Sequence, residues 1–347
     1  MARLLAAHAA RARHSLDLAI YDLKLDDASG RLICAAVDRA RARGVAVRLI
    51  FNQEHPRTRT RAVAATPEEE LAFPELAFPA FVDRGLLRRL QVPSRAIHGV
   101  PALMHHKYAV ADAGRPEAAV WTGSANWTEH AWSREENVIV RVASDRLAAA
   151  YRENFEELWE TRSVRRSGLR PPSPWVAVGP EHRVRPFFTP GQAGDLVREI
   201  VRLVEAARRR VRFCSPIVTS PPVLAALATA AGRPGLDLCG CVDATLMAGM
   251  VARWACAPSS RWKLEAWEAL RGRGRWGGKR SLPYGTGAVR DVMHAKCLVA
   301  DDTVLVGSYN FSRAGERNAE NVLEIEGRPL ADRVAGFVER LSRRYGT

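Results

Sequence analysis

The residues best suited to chemistry in this chain of 347 residues occur as two copies of one pattern. Each copy has a His, a Lys two positions later and an Asp five positions after the Lys, followed by Gly-Ser-x-Asn and a Glu-Asn pair. The first copy consists of His105, Lys107, Asp112, Gly123, Ser124, Asn126, Glu136 and Asn137. The second consists of His294, Lys296, Asp301, Gly307, Ser308, Asn310, Glu320 and Asn321. Imidazoles act as nucleophiles or as general acids and bases, and ammonium and amide groups stabilise negative charge.

The repeated pattern resembles the signature of the phospholipase D superfamily, His-x-Lys-x4-Asp followed by Gly-Ser-x-x-Asn or a close variant. One His-x-Lys has no diagnostic value, but two complete copies are specific, and with their surrounding halves they cover nearly the whole chain. The resemblance implies an α/β protein with two phospholipase D-like α-β-α sandwich halves. These would be related by pseudo-twofold symmetry and share one active site at their interface. It also implies a phosphodiesterase that works through a phosphohistidine, with no metal and no cofactor.

Hydrolysis of a phosphodiester without a metal requires a nucleophile, an acid for the leaving oxygen and cations near the non-bridging oxygens. If the halves pack about a pseudo-twofold axis, His105 and His294 face each other across one pocket. The phosphate would then be bound by Lys107, Lys296, Asn126 and Asn310, with Ser124 and Ser308 as further donors. By analogy with two-motif members of the superfamily, His105 is the nucleophile and His294 the general acid, and the reverse assignment stays open.

The acidic motif residues have two expected roles. An attacking imidazole needs an acceptor on its other nitrogen to fix the tautomer, and the resemblance implies that Glu136 and Glu320 are these acceptors. Asp112 and Asp301 belong to the candidate catalytic set by motif, but we interpret them as structural anchors at the far end of a strand and turn. His106 would point to the opposite strand face from His105, and we expect it to be packed or at the surface.

The first half, residues 1–162, shows alternating helical and strand periodicity. We predict helices at 4–13, 30–43 and 147–161, and strands at 16–21, 45–51, 104–111, 118–122 and 137–142. A strand, helix and strand in succession imply a parallel crossover unit. Residues 52–98 lose this regularity, so we predict a loop region with a short helix near 80–90.

Residues 163–182 are rich in Arg, Pro, Ser and Gly, which predicts a linker to a second half at 183–347. The second half repeats the first, with predicted helices at 194–210, 222–231 and 330–344 and strands at 211–214 and 236–243. Residues 246–290 have no counterpart and include the most basic segment, RGRGRWGGKR. We predict a loop that follows a phosphate chain and stacks on a base, through Arg271, Arg273, Arg275, Trp276, Lys279 and Arg280. The alternatives are a loop on anionic head groups or a solvated loop.

The composition indicates a folded globular protein, with 47% hydrophobic residues and a formal net charge of +14. This charge favours polyanionic partners, namely nucleic acid or an anionic membrane surface, although Arg occurs throughout the chain. Because no apolar run reaches the roughly 20 residues of a membrane span, we expect a cytoplasmic protein. The six cysteines lack zinc-ligand spacing, and we expect them to behave as small hydrophobic residues.

Three functions follow from these observations, in order of preference. The first is a nuclease acting on DNA or RNA, and the second is a phospholipase D or transphosphatidylase acting on phospholipid head groups. The third is a phosphate-binding module without turnover. Because both motifs lie in one chain, a monomer is sufficient for catalysis.

Overall fold

The computed structural model describes residues 1–53, 82–282 and 291–346. The first half contains α1 (Ala2–Arg11), β1 (Ser15–Ile20), β2 (Leu23–Lys24), α2 (Asp27–Ala42), β3 (Ala46–Asn52), α3 (Arg84–Leu90), β4 (Ser94–Ile97), β5 (Lys107–Ala111), β6 (Ala119–Gly123), β7 (Trp127–Thr128), α4 (Glu129–Ser133), β8 (Ile139–Ala143) and α5 (Asp145–Thr161). A 3-10 turn at Val164–Arg166 follows.

The second half contains β9 (Val176–Val178), β10 (His182–Phe188), α6 (Ala193–Ala206), β11 (Arg210–Ser215), α7 (Pro221–Ala231), β12 (Asp237–Asp243), α8 (Ala244–Ala255), α9 (Arg261–Arg273), β13 (Arg275–Lys279), β14 (Cys297–Ala300), β15 (Thr303–Gly307), α10 (Arg313–Arg317), β16 (Asn321–Glu326) and α11 (Arg328–Arg344). A second 3-10 turn, Pro258–Ser260, joins α8 to α9.

Two large mixed sheets form the framework. The first has the strand order β4-β3-β1-β5-β6-β8, and the second has the order β13-β12-β11-β14-β15-β16-β10-β9. The predicted crossover is confirmed, because β1 and β3 pair in parallel through α2. Helix α2 begins where the Asp26 side chain accepts a hydrogen bond from the Ser29 amide, 2.6 Å away. It is followed by Gly44, whose φ of +86° suits glycine.

Three large clusters form most of the hydrophobic core of the described residues, and they define five layers. Helices α1, α2 and α3 pack on the outer face of the first sheet, and α6 to α9 pack on the outer face of the second. Helices α5 and α11 lie between the two sheets in a core to which both halves contribute. Two packed halves that share one inner layer are the arrangement expected from the repeat.

Most predicted elements are confirmed, with boundaries shifted by a few residues. The predicted strand at 104–111 begins only at Lys107, so His105 lies on the segment that enters β5. The short strands β2, β4, β7 and β9 were not predicted. The predicted linker includes the first 3-10 turn and β9, which pairs with β10 in the second sheet. The irregular stretch 54–81 lies outside the described residues.

The basic segment is not the loop that its glycines predicted. Arg271 and Arg273 lie in the last turn of α9, and β13 then adds a parallel edge strand to β12. The Trp276 indole donates a hydrogen bond to the Leu270 carbonyl at 3.0 Å and packs on Trp267. A Cβ at Gly240 would lie 2.4 Å from that indole, so glycine is required there. Trp276 therefore serves the core of the second half, and the predicted base-stacking role is not supported by its position.

No helix in the described ranges is long and apolar enough to cross a membrane. All six cysteines are free, and four of them are buried, which agrees with their interpretation as small hydrophobic residues.

Candidate active site

In each half, the segment that contains the motif histidine pairs with the segment around the Glu-Asn pair of the opposite half. Met104 forms a parallel bridge with Ala319, and Met293 forms one with Glu136. The His105 amide donates to the Ala319 carbonyl at 2.8 Å, and the His294 amide donates to the Glu136 carbonyl at 3.0 Å. Each histidine is therefore held by the Glu-Asn segment of the opposite half, so both belong to one site at the interface.

His105 is oriented by a buried carboxyl group. Its Nδ1 lies 2.8 Å from each carboxyl oxygen of Glu320, and both side chains are buried. Burial raises the pKa of Glu320 to about 8, while the nearby Lys107 ammonium acts to lower it. The contact between Nδ1 and this carboxyl group fixes the orientation of the His105 ring. An acceptor on Nδ1 leaves Nε2 as the nitrogen available for attack.

His294 is oriented differently, and the prediction for Glu136 is wrong. The His294 Nδ1 lies 3.2 Å from the Asn137 amide oxygen and 3.5 Å from a carboxyl oxygen of Glu135. The Glu136 carboxyl group instead accepts a hydrogen bond from the Tyr345 hydroxyl at 2.6 Å and lies 3.7 Å from the Lys279 ammonium. The nearby carboxylate is thus Glu135, whose side chain is 2% exposed.

A one-residue difference in strand register explains this error. Gly123 pairs with Ile139 across β6 and β8, whereas Gly307 pairs with Val322 across β15 and β16. The intervening segment is therefore one residue longer in the first half. As a result Asn137 occupies the structural position of Glu320, although the sequence pattern aligns Glu320 with Glu136.

Asn137 is fixed by its own hydrogen bonds. Its amide nitrogen donates to the Ala131 carbonyl at 3.0 Å and lies 3.4 Å from a Glu135 carboxyl oxygen. Its amide oxygen accepts from the Ser124 hydroxyl at 2.7 Å and faces His294. The network gives His294 a neutral acceptor with a carboxylate behind it.

The two lysines occupy equivalent positions. Each ammonium donates to the carbonyl oxygen of its own motif histidine, at 2.6 Å for Lys107 and 2.8 Å for Lys296. Both are almost fully buried, so they bring two positive charges to the histidines. Asn126 and Asn310 follow β6 and β15 and are buried as well.

The two serines support the site from behind. The Ser124 hydroxyl accepts a hydrogen bond from the Val138 amide, and the Ser308 hydroxyl accepts one from the Asn321 amide, both at 3.0 Å. Both serines are completely buried. They bind the backbone of the segments that contain the Glu-Asn pairs. Their positions do not support our expectation that they donate to the phosphate.

The motif aspartates are anchors, as we predicted from their spacing, and should not be counted as catalytic. Asp112 accepts hydrogen bonds from three successive amides, those of Arg13, His14 and Ser15, at 2.6–3.1 Å. Asp301 makes the same set with residues 208–210 at 2.8–3.0 Å. Both have a positive φ, +54° and +51°. They lie at the opposite end of their strands from the lysines, roughly 17 Å away at strand rise.

Two aromatic residues lie beside the site, and only His106 was considered from the sequence. His106 is fully buried and its pKa is lowered to about 3 by burial, which confirms that it is a packed residue. Tyr21 was missed: its ring meets the His105 ring edge-on at 4.5 Å and lies 4.8 Å from the Lys107 ammonium. It directly follows β1, and that position was the only signal in the sequence.

Cations gather on the His294 side of the site. The Lys279 ammonium donates to the Arg134 carbonyl at 2.9 Å, and the Arg344 guanidinium lies 3.7 Å from the Glu136 carboxylate. Arg134, Arg280 and Arg344 are exposed. Of the predicted nucleic-acid-binding residues, Lys279 and Arg280 lie at this end of β13, whereas Arg275 bonds to Asp237 at the other end. Within the ranges that the structure describes, no cluster of three or more His, Cys, Asp or Glu side chains could hold a metal ion.

Comparison with known proteins places the chain in a family. Residues 5–159 and 200–342 match the family model described as "Cardiolipin synthase, PLD-like domain". The chain belongs to the phospholipase D superfamily. The phosphatidylserine synthase of Haemophilus influenzae Rd KW20 has the same fold, with a TM-score of 0.59 over 99% of this chain and 84% of that one, at 13% identity. Nuc from Salmonella typhimurium, a phospholipase D family member, matches 48% of this chain and 97% of its own, with a TM-score of 0.37 and 20% identity.

Two curated relatives are both named mitochondrial cardiolipin hydrolase. The human protein is 34% identical over 89 residues, which are 25% of this chain and 33% of the relative. The Xenopus laevis protein is 43% identical over 58 residues, which are 16% of this chain and 25% of the relative. The matched part therefore spans a third or less of the length of these relatives.

Proposed function

We propose that this protein is a phosphodiesterase in which His105 attacks the phosphorus and His294 protonates the leaving oxygen. The observation that supports this proposal most strongly is that the backbone of each motif histidine is hydrogen-bonded to the opposite half. This arrangement places two oriented imidazoles and two buried ammonium groups in one site. It contains the nucleophile, acid and cations that the reaction requires.

The different partners of the two histidines support these roles. Glu320 lies at hydrogen-bonding distance from His105, so its carboxyl group can balance the positive charge of a phosphorylated imidazole. His294 has the neutral amide oxygen of Asn137 at 3.2 Å and the Glu135 carboxylate at 3.5 Å. This weaker electrostatic hold lets a protonated His294 release its proton more readily, which suits a general acid.

The reaction then proceeds in two steps. In the first, the His105 Nε2 lone pair forms a bond to phosphorus while the bond to the leaving oxygen breaks and His294 gives that oxygen a proton. In the second, neutral His294 takes a proton from water, whose oxygen attacks phosphorus and breaks the phosphorus–nitrogen bond. Lys107 and Lys296 stabilise the charge on the non-bridging oxygens in both steps.

We favour nucleic acid as the substrate. Three exposed arginines lie close to residues on the His294 side of the site: the Arg134 carbonyl binds Lys279, Arg280 follows Lys279 in the chain, and Arg344 lies 3.7 Å from the Glu136 carboxylate. The chain also carries a net charge of +14. Cations beside a phosphodiester site suit a polymer with a charge at every residue, because neighbouring phosphates can bind outside the reacting centre.

A phospholipid head group is the second candidate, supported by a different observation. Val100 is 63% exposed and Leu282 is 50% exposed, and they lie on the segments that lead into the two motifs. Exposed apolar side chains there could insert between lipids. The matched family model and the names of the curated relatives both refer to cardiolipin. A binding module without turnover is the least favoured function, because it would not need two oriented histidines.

A parallel assay tests the substrate. Purified protein with excess chelator is offered labelled single-stranded DNA, double-stranded DNA, RNA, and vesicles of phosphatidylcholine or cardiolipin, with His105→Ala as the matched control. We expect cleavage of nucleic acid that resists chelator and disappears in the variant. Head-group release with intact nucleic acid would replace the nuclease by a phospholipase. No turnover of any substrate would contradict both enzymes and favour the binding module.

A further inference from the structure

Strands β8 and β16 are counterparts whose outer edges differ. Each follows the Gly-Ser turn of its motif and pairs with the strand that leads into that turn, β8 with β6 and β16 with β15. The outer edge of β16 is covered by β10, which pairs with it antiparallel over six residue pairs. Strand β8 ends its sheet, and no described strand pairs with its outer edge. The repeat therefore shows what kind of element fits on the edge that β8 leaves open.

An apolar groove of about 750 Å³ follows this open edge. One wall is β8 itself, and the other is formed by α11 residues that include Leu330, Val334 and Phe337. Val178 and Ile325 of the second half also line it. The groove is continuous with the interface between the halves, since these side chains belong to or pack against the inner core. An exposed strand edge beside apolar side chains is a site where an extended peptide can add.

The charge on the edge is opposite to that of its counterpart. By the register of the two sheets, Arg141 corresponds to Glu324, whose carboxylate bonds to Arg185 of β10 at 2.6 Å. Among the described residues, Arg141 has the ring nitrogen of His8 as its hydrogen-bond partner, at 3.3 Å, and no carboxylate. Burial and the Arg141 charge lower the pKa of His8 to about 4, so this imidazole is neutral. Arg333, also exposed, adds a second cation to the groove.

We propose that the open edge of β8 binds an extended segment of a partner polypeptide as an additional antiparallel strand. The segment would carry apolar side chains opposite Val140 and Val142 and a carboxylate opposite Arg141. The apolar positions follow from the counterpart, because Val184 and Pro186 of β10 lie opposite Ile325 and Leu323, and Val184, Ile325 and Leu323 belong to the inner core. Backbone hydrogen bonds would supply affinity, and the charge pair would select the partner.

Two matched peptides provide the test. The acidic probe is a fluorescein-labelled peptide with the sequence of residues 182–188, in which glutamate replaces Arg185 and valine replaces Pro186. The basic probe has the same sequence but keeps the arginine. Fluorescence anisotropy should show that the protein binds the acidic probe at least about tenfold more tightly than the basic one. The Arg141→Glu variant should reverse this order, and Leu330→Asp should weaken the acidic probe.

Control variants make the result decisive. His105→Ala should bind the acidic probe as the unaltered protein does, so failure of the proposed catalysis would leave this result intact. Circular dichroism of each variant establishes that it is folded. Equal affinity for both probes, or no reversal in Arg141→Glu, would overturn the proposal. So would saturable binding of a short-chain phosphatidylcholine that Leu330→Asp abolishes while neither peptide binds, because the groove would then hold an acyl chain.

Discussion

At the scale of single residues, the partners of His294 separate two adjacent carboxylates. Glu135 lies 3.5 Å from the His294 Nδ1, whereas Glu136 bonds to Tyr345. We expect Glu135→Gln to lower kcat about 10- to 100-fold with little change in KM, since the proton donor loses part of its orientation. Glu136→Gln should leave kcat near that of the unaltered protein.

The leaving group makes this prediction specific to proton donation. The leaving group of bis(4-nitrophenyl) phosphate needs no proton. With this substrate, the rate at which the phosphohistidine forms should be nearly unaffected by Glu135→Gln. A burst of nitrophenolate measured by stopped flow reports that step. Equal losses on activated and natural substrates would show that Glu135 does not act through the acid.

Glu320 should make stability depend on pH. Its pKa rises from 4.5 to about 8 in the folded protein, so its contribution is fully present below about pH 4.5 and is lost as the pH rises through about 8. Glu320→Gln has no such proton to lose. We therefore expect the free energy of unfolding of Glu320→Gln, relative to the unaltered protein, to increase by up to a few kcal/mol between about pH 5 and about pH 9.

Urea unfolding at the two pH values checks this prediction, and activity provides an independent readout. The variant should lose at least about 100-fold in kcat, because His105 loses the carboxylate on Nδ1. A difference in unfolding free energy that does not change with pH would contradict the buried, proton-holding carboxyl group.

At the scale of elements, the motif aspartates connect the start of one strand to the end of another. Asp112 accepts three backbone hydrogen bonds at the start of β1 and has a positive φ. Asp112→Ala should lower the free energy of unfolding by about 2–4 kcal/mol. Asp112→Asn should cost less, because asparagine tolerates this backbone conformation. Urea unfolding measures both, and kcat of the folded protein should change little; a full loss of kcat in a stable Asp112→Asn protein would contradict the anchoring role.

Element order was largely predictable from the sequence, whereas strand register was not. Alternation and helical periodicity gave the helices and strands around both motifs because those segments bury one face. Glu135 and Asn137, not Glu136, contact His294 because the segment from Gly123 to its pairing partner Ile139 is one residue longer than its counterpart in the second half. This difference becomes visible only when the strands are paired. The glycines of the basic segment predicted a loop. The strand that forms there could not be predicted, because the packing of Trp276 against Gly240 joins residues far apart in sequence.

At the scale of the whole molecule, the repeat predicted two halves and one shared site. The motif residues identified both histidines, both lysines and Glu320, since these depend on residue type and spacing. Tyr21 could not be identified, because its contact with His105 is made by packing of β1 on β5. The open edge of β8 was equally hidden, since it is visible only when the two sheets are compared.

The exposed cations belong to this scale because they act through the field around the site. We expect Arg134→Glu, Arg280→Glu and Arg344→Glu each to raise KM for DNA or RNA while kcat changes little, and to reduce the salt dependence of kcat/KM. Arg3→Glu, a change of equal charge at an exposed residue of α1, is the control. Equal effects from the control and the site variants would show that net charge alone is responsible.

The central claim is that one site at the interface uses His105 as the nucleophile and His294 as its acid and base. The most direct measurement is peptide mapping by mass spectrometry after reaction with bis(4-nitrophenyl) phosphate, with the reaction quenched in denaturant and the digest kept at alkaline pH because acid hydrolyses the phosphorus–nitrogen bond. In His294→Ala the adduct should accumulate on His105, because this leaving group needs no acid and the variant lacks the base that activates water. His105→Ala should carry no adduct. An adduct on His294 in His105→Ala, with none on His105 in His294→Ala, would contradict the account.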